Sequence, residues 1–224
     1  MNVIFRINKV IFLSIFILLS SCKIIDVDEE KNYLINLSSV GGITSYKGIP
    51  YTGKMVKYVD DEKTQLKWEK TYKEGKLKGL SEEYDRDGKL KSRRTYKEGK
   101  LNGLSEEYNR DGQLKSRRTY YEGEEEEREY YYYYENGKLE SRTTYKEDKL
   151  NGLYETYYEN GQLEYRGTYK DGKEDGQWEY YFDGQLESRG TYRDGKEDGQ
   201  WELYDENGKF VEKVRFIDGV KQDD

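Results

Sequence analysis

The sequence predicts an all-β fold: an elongated, single-layer antiparallel β-meander of repeated hairpins, preceded by a signal-peptide helix and a flexible tether. Three observations lead to this prediction. Tyrosine recurs at a fixed spacing, turn signals stand at both ends of each run, and apolar and polar residues alternate within the runs. The first places the chain among repeat proteins, and the other two define the repeated element as a hairpin.

The tyrosine period divides most of the chain into similar repeats. One tyrosine opens each repeat, a second follows twelve residues later, and the next repeat begins 23 to 26 residues after the first. The openers are Tyr46, Tyr72, Tyr96, Tyr120, Tyr145, Tyr169 and Tyr192, and their partners are Tyr58, Tyr84, Tyr108, Tyr132, Tyr157, Tyr181 and Tyr204. This self-similarity predicts an array of six or seven hairpin repeats over residues 46–224.

Each repeat carries two turn signals. Asp87-Gly88 stands in the middle of the second repeat, and Glu74-Gly75 stands near its start. Asp-Gly tolerates the positive φ angles of tight hairpin turns, and the recurring Glu-Gly marks the second turn. Because Leu80 and Tyr84 share parity, as do Leu90 and Tyr96 in the next run, we expect the recurrent Tyr and Leu side chains to line one face. Glycines such as Gly79 are expected where a ring lies over the backbone.

Two parts of the array break the pattern. The repeat that opens at Tyr120 has Glu127 in place of its internal glycine and one extra residue before Asn136-Gly137, which predicts a bulge or a register shift. In the last two repeats, Trp178 with Tyr180 and Trp201 with Leu203 fall on the opposite parity. This change predicts two apolar faces at that end of the array.

Composition limits the possible functions. Only 33% of the residues are hydrophobic and 38% are charged, so tyrosine rings and the stems of Lys and Arg must cover the sheet. The absence of histidine excludes Ser-His-Asp triads and His-ligated metal sites, and a single cysteine excludes an intrachain disulfide. We expect no enzymatic activity, metal site or cofactor.

The N-terminus has the features of an export signal. Arg6 and Lys9 precede a short apolar stretch at residues 10–19, about half the length of a bilayer-spanning helix. The following Leu19-Ser20-Ser21-Cys22 resembles a bacterial lipobox, which implies cleavage after residue 21 and lipid attachment at Cys22. The domains are then a signal peptide (1–21), a polar tether (22–45) and the repeat array (46–224). Lys23 does not resemble the aspartate associated with inner-membrane retention, so the favoured location in the bacterial cell envelope is the outer membrane if the cell has one.

The repeated hairpin also resembles a known family. Gly172-Lys173, Gly176, Tyr181, Gly184 and Leu186 show a pattern similar to the bacterial variant of the MORN repeat, and the resemblance extends over about residues 46–219. It implies elongated antiparallel sheets that scaffold proteins or lie near membranes. Some bacterial members carry the label of antitoxin components, which implies an immunity protein that neutralises a toxin as an alternative function.

Two groups of residues are candidates for partner binding. The aromatic candidates are Trp178, Trp201 and Tyr180, for which packing between repeats is the alternative. The basic candidates lie in residues 72–119, which carry a net charge of +5, whereas residues 120–224 carry −14. They are Arg93, Arg94, Arg117 and Arg118, and their alternative role is to keep an exposed sheet soluble and to block edge pairing.

These observations predict a non-catalytic lipoprotein of the cell envelope that acts as a protein-interaction or scaffold module. Its expected partners are the membrane, through the lipid on Cys22, and an unidentified protein. The alternative to a protein partner is a glycan or cell-wall polymer that stacks on aromatic rings. Nucleic acid is not expected, because an acidic exported protein is a poor ligand for phosphate backbones.

Overall fold

The computed structural model describes residues 24–26, 37–60 and 62–222, and these form strands and turns without a helix. The all-β prediction is therefore confirmed for the described residues. Within these ranges, no helix has the length and apolar character that a membrane span requires. The predicted signal peptide and Cys22 lie outside the described residues.

The described residues contain 21 strands in antiparallel succession, apart from one parallel pair. The first seven are β1 (Ile24–Asp26), β2 (Leu37–Val40), β3 (Ile43–Tyr46), β4 (Ile49–Pro50), β5 (Gly53–Tyr58), β6 (Leu66–Lys73) and β7 (Lys76–Tyr84). The next seven are β8 (Leu90–Lys97), β9 (Lys100–Tyr108), β10 (Leu114–Tyr121), β11 (Glu124–Tyr133), β12 (Leu139–Lys146), β13 (Lys149–Tyr157) and β14 (Leu163–Lys170). The last seven are β15 (Lys173–Glu174), β16 (Gly176–Phe182), β17 (Gln185–Arg193), β18 (Lys196–Glu197), β19 (Gly199–Tyr204), β20 (Phe210–Ile217) and β21 (Val220–Gln222).

Strands β1 and β5–β21 belong to a sheet of 18 strands, and β2–β4 form a separate sheet of three. Within the large sheet, consecutive strands pair as a meander. The described residues fall into two compact units, an N-terminal unit that ends at residue 105 and a C-terminal unit that begins at residue 106, with the boundary inside β9.

The N-terminal unit contains a small apolar core beside its first strand. Strand β1 pairs in parallel with β5, so that Ile25 lies opposite Met55. Ile25, Tyr51 and Met55 are buried, and Tyr72 packs against them with its ring 6.1 Å from that of Tyr51. The strands β1, β2 and most of β3 therefore lie within residues 22–45, the range that the sequence analysis assigns to the tether.

The two turn signals produce two different turns. Glu74 and Gly75 both have positive φ (51° and 77°) between the paired residues Lys73 and Lys76, as a two-residue type I′ turn requires. At Asp85–Lys89 only Gly88 has positive φ, and the Asp85 carboxylate accepts hydrogen bonds from the backbone N–H groups of Asp87 and Lys89. Both hairpins are confirmed, and at Asp87-Gly88 only the glycine takes the left-handed conformation.

The two tyrosine series lie on opposite faces, so the expectation of one shared face is wrong. In the second repeat, Tyr96 lies opposite Gly79, whereas Tyr84 donates a hydrogen bond to Glu82, which lies opposite Arg93. The reason is the register: from Gly79 to Glu83, even-numbered residues of β7 lie opposite odd-numbered residues of β8, and the register shifts only at Tyr84. Equal parity in neighbouring strands therefore means opposite faces, and parity alone could not show this.

We call the face that carries Tyr72, Tyr96, Tyr145, Tyr169 and Tyr192 the opener face, and the face with the Glu82–Arg93 pair and its equivalents the ladder face. Trp178 and Tyr180 lie on the opener face, where the Trp178 ring contacts that of Tyr192. On the other side of the same strands, Glu179 lies opposite Arg189. The prediction of two apolar faces at that end is therefore wrong.

The glycines inside the first strand of each repeat serve backbone conformation. Gly79 has a φ of +77°, and no atom lies within 4 Å of the point where a Cβ atom would stand, so no ring lies over it. Beside it, the register shifts by two residues between Lys70 and Tyr72. In the repeat that lacks this glycine, the predicted irregularity is confirmed between Thr119 and Tyr120, but it is a shift of one residue. Tyr131, one residue before the Tyr132 of the twelve-residue spacing, donates a hydrogen bond to Glu129 on the ladder face.

Candidate interaction surface

The ladder face carries an ordered series of ion pairs, each between neighbouring strands. In the N-terminal unit, Arg93 Nε lies 2.9 Å from Glu82 Oε1. In the C-terminal unit, Arg166 and Arg189 instead pair with the glutamate of the following repeat, and the Nε–carboxylate distances are 2.6 Å for both Arg166–Glu179 and Arg189–Glu202. The other members are Arg117 with Glu106 and Glu129, Arg142 with Glu129 and Glu155, and Lys213 with Glu202.

Tyrosine hydroxyls complete the ladder. Tyr181 donates to Glu179 and Tyr204 donates to Glu202, at 2.9 Å and 2.8 Å. Hydrogen bonds from Tyr204, Arg189 and Lys213 lower the pKa of Glu202 to about 2. Burial opposes the same effect at Glu179, but its hydrogen bonds still hold its pKa below the ordinary value. The carboxylates of the ladder face therefore accept hydrogen bonds from donors of the same face, and the positive and negative charges of that face compensate one another.

The basic candidates are divided between the two faces. Arg93 and Arg117 belong to the ladder face and pair with glutamates there. Arg94 lies opposite Ser81 on the opener face, 3.8 Å from Glu83, and Arg118 lies 3.7 Å from both Glu107 and Glu125. Each of the four guanidinium groups has a carboxylate within the chain, so they do not form one basic patch. Their role in partner binding stays a prediction.

The aromatic candidates form the packed interior of the opener face in the C-terminal unit. Trp178 and Trp201 are only 3% and 5% exposed. Successive rings stack on one another along and across the strands. The centroid distances are 6.2 Å for Tyr165–Trp178, 6.1 Å for Trp178–Tyr180 and 6.0 Å for Tyr180–Trp201. Burial raises the pKa of Tyr180. Of the two roles considered for the tryptophans, packing between repeats fits this geometry, because they have almost no surface for a partner.

Glycines on the preceding strands make room for the two indole rings. A Cβ atom at Gly167 would lie 2.1 Å from a ring carbon of Trp178, and one at Gly190 would lie 2.1 Å from Trp201. Neither glycine has positive φ, so the requirement is space and not backbone conformation. The ring over a glycine does occur, but at these positions and not at Gly79, Gly176 or their equivalents.

The ladder face also exposes one position of the repeat, which the sequence pattern alone did not single out. Leu80 and Leu104, each directly after an internal glycine, are 44% and 46% exposed. Leu80 lies opposite Thr95, beside the Glu82–Arg93 pair. The equivalent residues in later repeats are Leu153, which is half-buried, and Gln177 and Gln200, which are exposed. We call these five residues the exposed strip. The sequence signal that could have identified this position is the Gly-Leu dipeptide that follows the type I′ turn.

A shallow depression of about 180 Å³ lies along the exposed strip in the C-terminal unit. It is lined by Leu153, Arg166, Gly167, Thr168, Gln177 and Glu179. Among the described residues, no cluster of three or more His, Cys, Asp or Glu side chains could hold a metal ion.

The repeat geometry agrees with a known family. Six segments of the chain match the model of the MORN repeat variant, at residues 77–98, 101–120, 129–147, 150–171, 174–194 and 197–218. The chain belongs to the MORN repeat variant family. Each matched MORN repeat spans two consecutive long strands of the sheet and the hairpin turn between them. No curated protein sequence matches the chain.

Family membership accounts for the general character of the molecule. A sheet built from MORN repeats fits a protein-interaction scaffold, and the family is generally non-enzymatic. The repeats place the same residue types at successive strands, which suits contact with an extended surface.

Proposed function

We propose that this MORN-repeat protein is a non-catalytic lipoprotein of the cell envelope and that its ladder face binds another protein. The observation that carries the proposed binding is the exposed strip: an apolar or amide side chain recurs beside ion pairs that already compensate their own charge. A partner that covers the strip therefore buries Leu80 and Leu104 without having to neutralise isolated charges.

The lipid anchor is supported by the sequence alone. A short apolar segment ends at Leu19-Ser20-Ser21-Cys22, and Cys22 is the only cysteine of the chain. Acyl chains on this residue would hold the protein at a membrane, because each buried methylene contributes roughly 0.8 kcal/mol. We expect the wild-type chain to incorporate labelled palmitate and to partition into detergent. A Cys22→Ala variant that still did both would disprove the anchor.

Protein binding is tested separately with the exposed strip. We expect Leu80→Glu with Leu104→Glu to abolish site-specific cross-linking from the ladder face to a partner in intact cells. The matched control is Lys78→Glu with Lys100→Glu, which introduces the same acidic residue two positions before Leu80 and four before Leu104. Equal cross-linking by both double variants, with both folded by circular dichroism, would contradict a ladder-face partner.

The glycan alternative depended on aromatic rings that a sugar can reach. Trp178 and Trp201, the tryptophans considered for this role, have almost no exposed surface, so they do not favour this function over protein binding.

A further inference from the structure

The position of β1 bears on how the proposed anchor would hold the protein. Ile24 lies opposite Lys54 and Ile25 opposite Met55, so β1 is hydrogen-bonded to β5 at the start of the large sheet. Ile25 is 5% exposed and shares a core with Tyr51 and Met55. Strand β1 is therefore an integral, packed part of the N-terminal unit.

The chain length between the anchor and the sheet is very short. Cys22 precedes Ile24 by two residues in the sequence, and a fully extended stretch of two residues spans at most about 7 Å. A lipid on Cys22 would bring this edge of the sheet to the headgroup region, which is itself about 5 to 7 Å deep on each side of a bilayer.

The surface near this point suits a lipid contact. Because β1 is parallel to β5, the start of β1 lies beside the start of β5, and only two residues separate the end of β4 (Ile49–Pro50) from the start of β5. Ile24 is 64% exposed and Ile49 is 70% exposed, which places both among the most exposed large apolar side chains of the described residues. We call Ile24 and Ile49 the anchor corner. Apolar side chains beside an acyl anchor add buried area at a membrane interface.

We propose that β1 is a latch that fixes the anchor corner against the lipid surface. The N-terminal unit then contacts the membrane at a defined place and is not connected to it through a flexible tether of 24 residues. This inference rests on the proposed lipid attachment at Cys22. The occupant of the anchor corner is then the lipid bilayer, and the ladder face is left to the protein partner.

The test uses the acylated full-length mature protein in vesicles of phosphatidylethanolamine and phosphatidylglycerol. Because Cys22 carries the lipid and is the only cysteine, a cysteine introduced elsewhere can be labelled uniquely with an environment-sensitive fluorophore. The test site is Ile49→Cys. The matched controls are Val59→Cys, after the far end of β5, and Leu104→Cys in β9, both 46% exposed and both in the N-terminal unit.

We expect headgroup spin labels to quench the fluorophore at residue 49 about threefold more than at residue 104, because β9 is five strand positions, or about 24 Å, from β1 along the sheet. Residue 59 should also be quenched less than residue 49. Equal quenching at the three sites in membrane-bound protein would overturn the latch while leaving the lipid anchor in place.

Two further variants separate the latch from the anchor. A twelve-residue Gly-Ser insertion between Lys23 and Ile24 keeps β1 intact, and we expect it to reduce quenching at residue 49 to the level at residue 59 without reducing sedimentation with vesicles. Ile25→Asp should do the same by detaching β1 from its core. Unchanged quenching with the insertion would overturn the latch, whereas failure of the wild-type protein to acquire a lipid would overturn the proposed anchor itself.

Discussion

The same structural position of the opener face is filled in opposite ways in two repeats. In the N-terminal unit, the long side chain of Lys70 lies opposite the small, buried Ser81. In the C-terminal unit, the large ring of Trp178 lies over Gly167 on the preceding strand. The larger residue of the pair can therefore stand on either strand. In one repeat it is on the first strand and in the other it is on the second, and in both cases its neighbour is small.

The ladder face is the constant feature of the two regions. The Glu82–Arg93 pair lies within one repeat and the Glu179–Arg166 pair joins two repeats, with Nε–carboxylate distances of 2.9 Å and 2.6 Å, so ion pairs line this face in both regions although the opposite faces differ. We infer that the opener face sets local stability, whereas the ladder face maintains the regular surface that a partner meets.

The largest expected effect is the removal of an indole ring. Trp178→Ala should lower the free energy of unfolding of the C-terminal unit by about 3 to 5 kcal/mol, because it leaves a cavity between the rings of Tyr165 and Tyr180. Urea denaturation followed by circular dichroism measures the change. Ser81→Ala is the counterpart in the N-terminal unit and should cost less than about 1 kcal/mol. A similar loss for both would show that the tryptophan does not provide the packing.

A smaller effect is expected from filling the space under the ring. Gly167→Ala should destabilise the C-terminal unit by about 1 to 3 kcal/mol, because the new Cβ would lie 2.1 Å from the indole. Thermal denaturation measures it, with Lys170→Ala, at an exposed position of the same strand, as the control. If Gly167→Ala were as stable as wild type, the close approach of ring and backbone would not be a constraint.

The comparison between the two regions can be tested by introducing the Trp178–Gly167 pair at the equivalent positions of the N-terminal unit. Ser81→Trp alone should be destabilising, because Lys70 lies directly opposite and a large ring needs the space that Gly167 leaves free for Trp178, and adding Lys70→Gly should recover part of the loss. The expected coupling between the two positions is about 0.5 to 3 kcal/mol, measured by a double-mutant cycle in urea. Purely additive effects would mean that Lys70 and Ser81 do not compensate each other in volume.

The hairpins and their order could be predicted from the sequence because their signals are local. Glu74-Gly75 and Asp87-Gly88 determine the turns through backbone conformation, and the spacing of the tyrosines gives the length of the repeat. The bulge near Tyr120 was also predictable, since an extra residue must be accommodated within one repeat.

The faces could not be predicted because they depend on register between strands. Tyr84 and Tyr96 share parity in the sequence, but the observed register puts them on opposite faces. The burial of Trp178 likewise required knowledge that Gly167 lies beside it on the preceding strand. The partner of β1 was equally inaccessible, since a three-residue strand that pairs in parallel 30 residues away has no local signal.

The smallest expected effect concerns the ladder face and its dependence on pH. Hydrogen bonds lower the pKa of Glu202 in the folded chain to about 2, from an ordinary value of 4.5. Its stabilising contribution is therefore complete above about pH 4.5 and is lost as the pH falls toward 2. Glu202→Gln should lower the melting temperature slightly at pH 7, and the difference from wild type should shrink below pH 4. A difference that stayed constant from pH 7 to pH 3 would mean that the ionised carboxylate contributes nothing, and the ladder would then maintain the surface through shape alone.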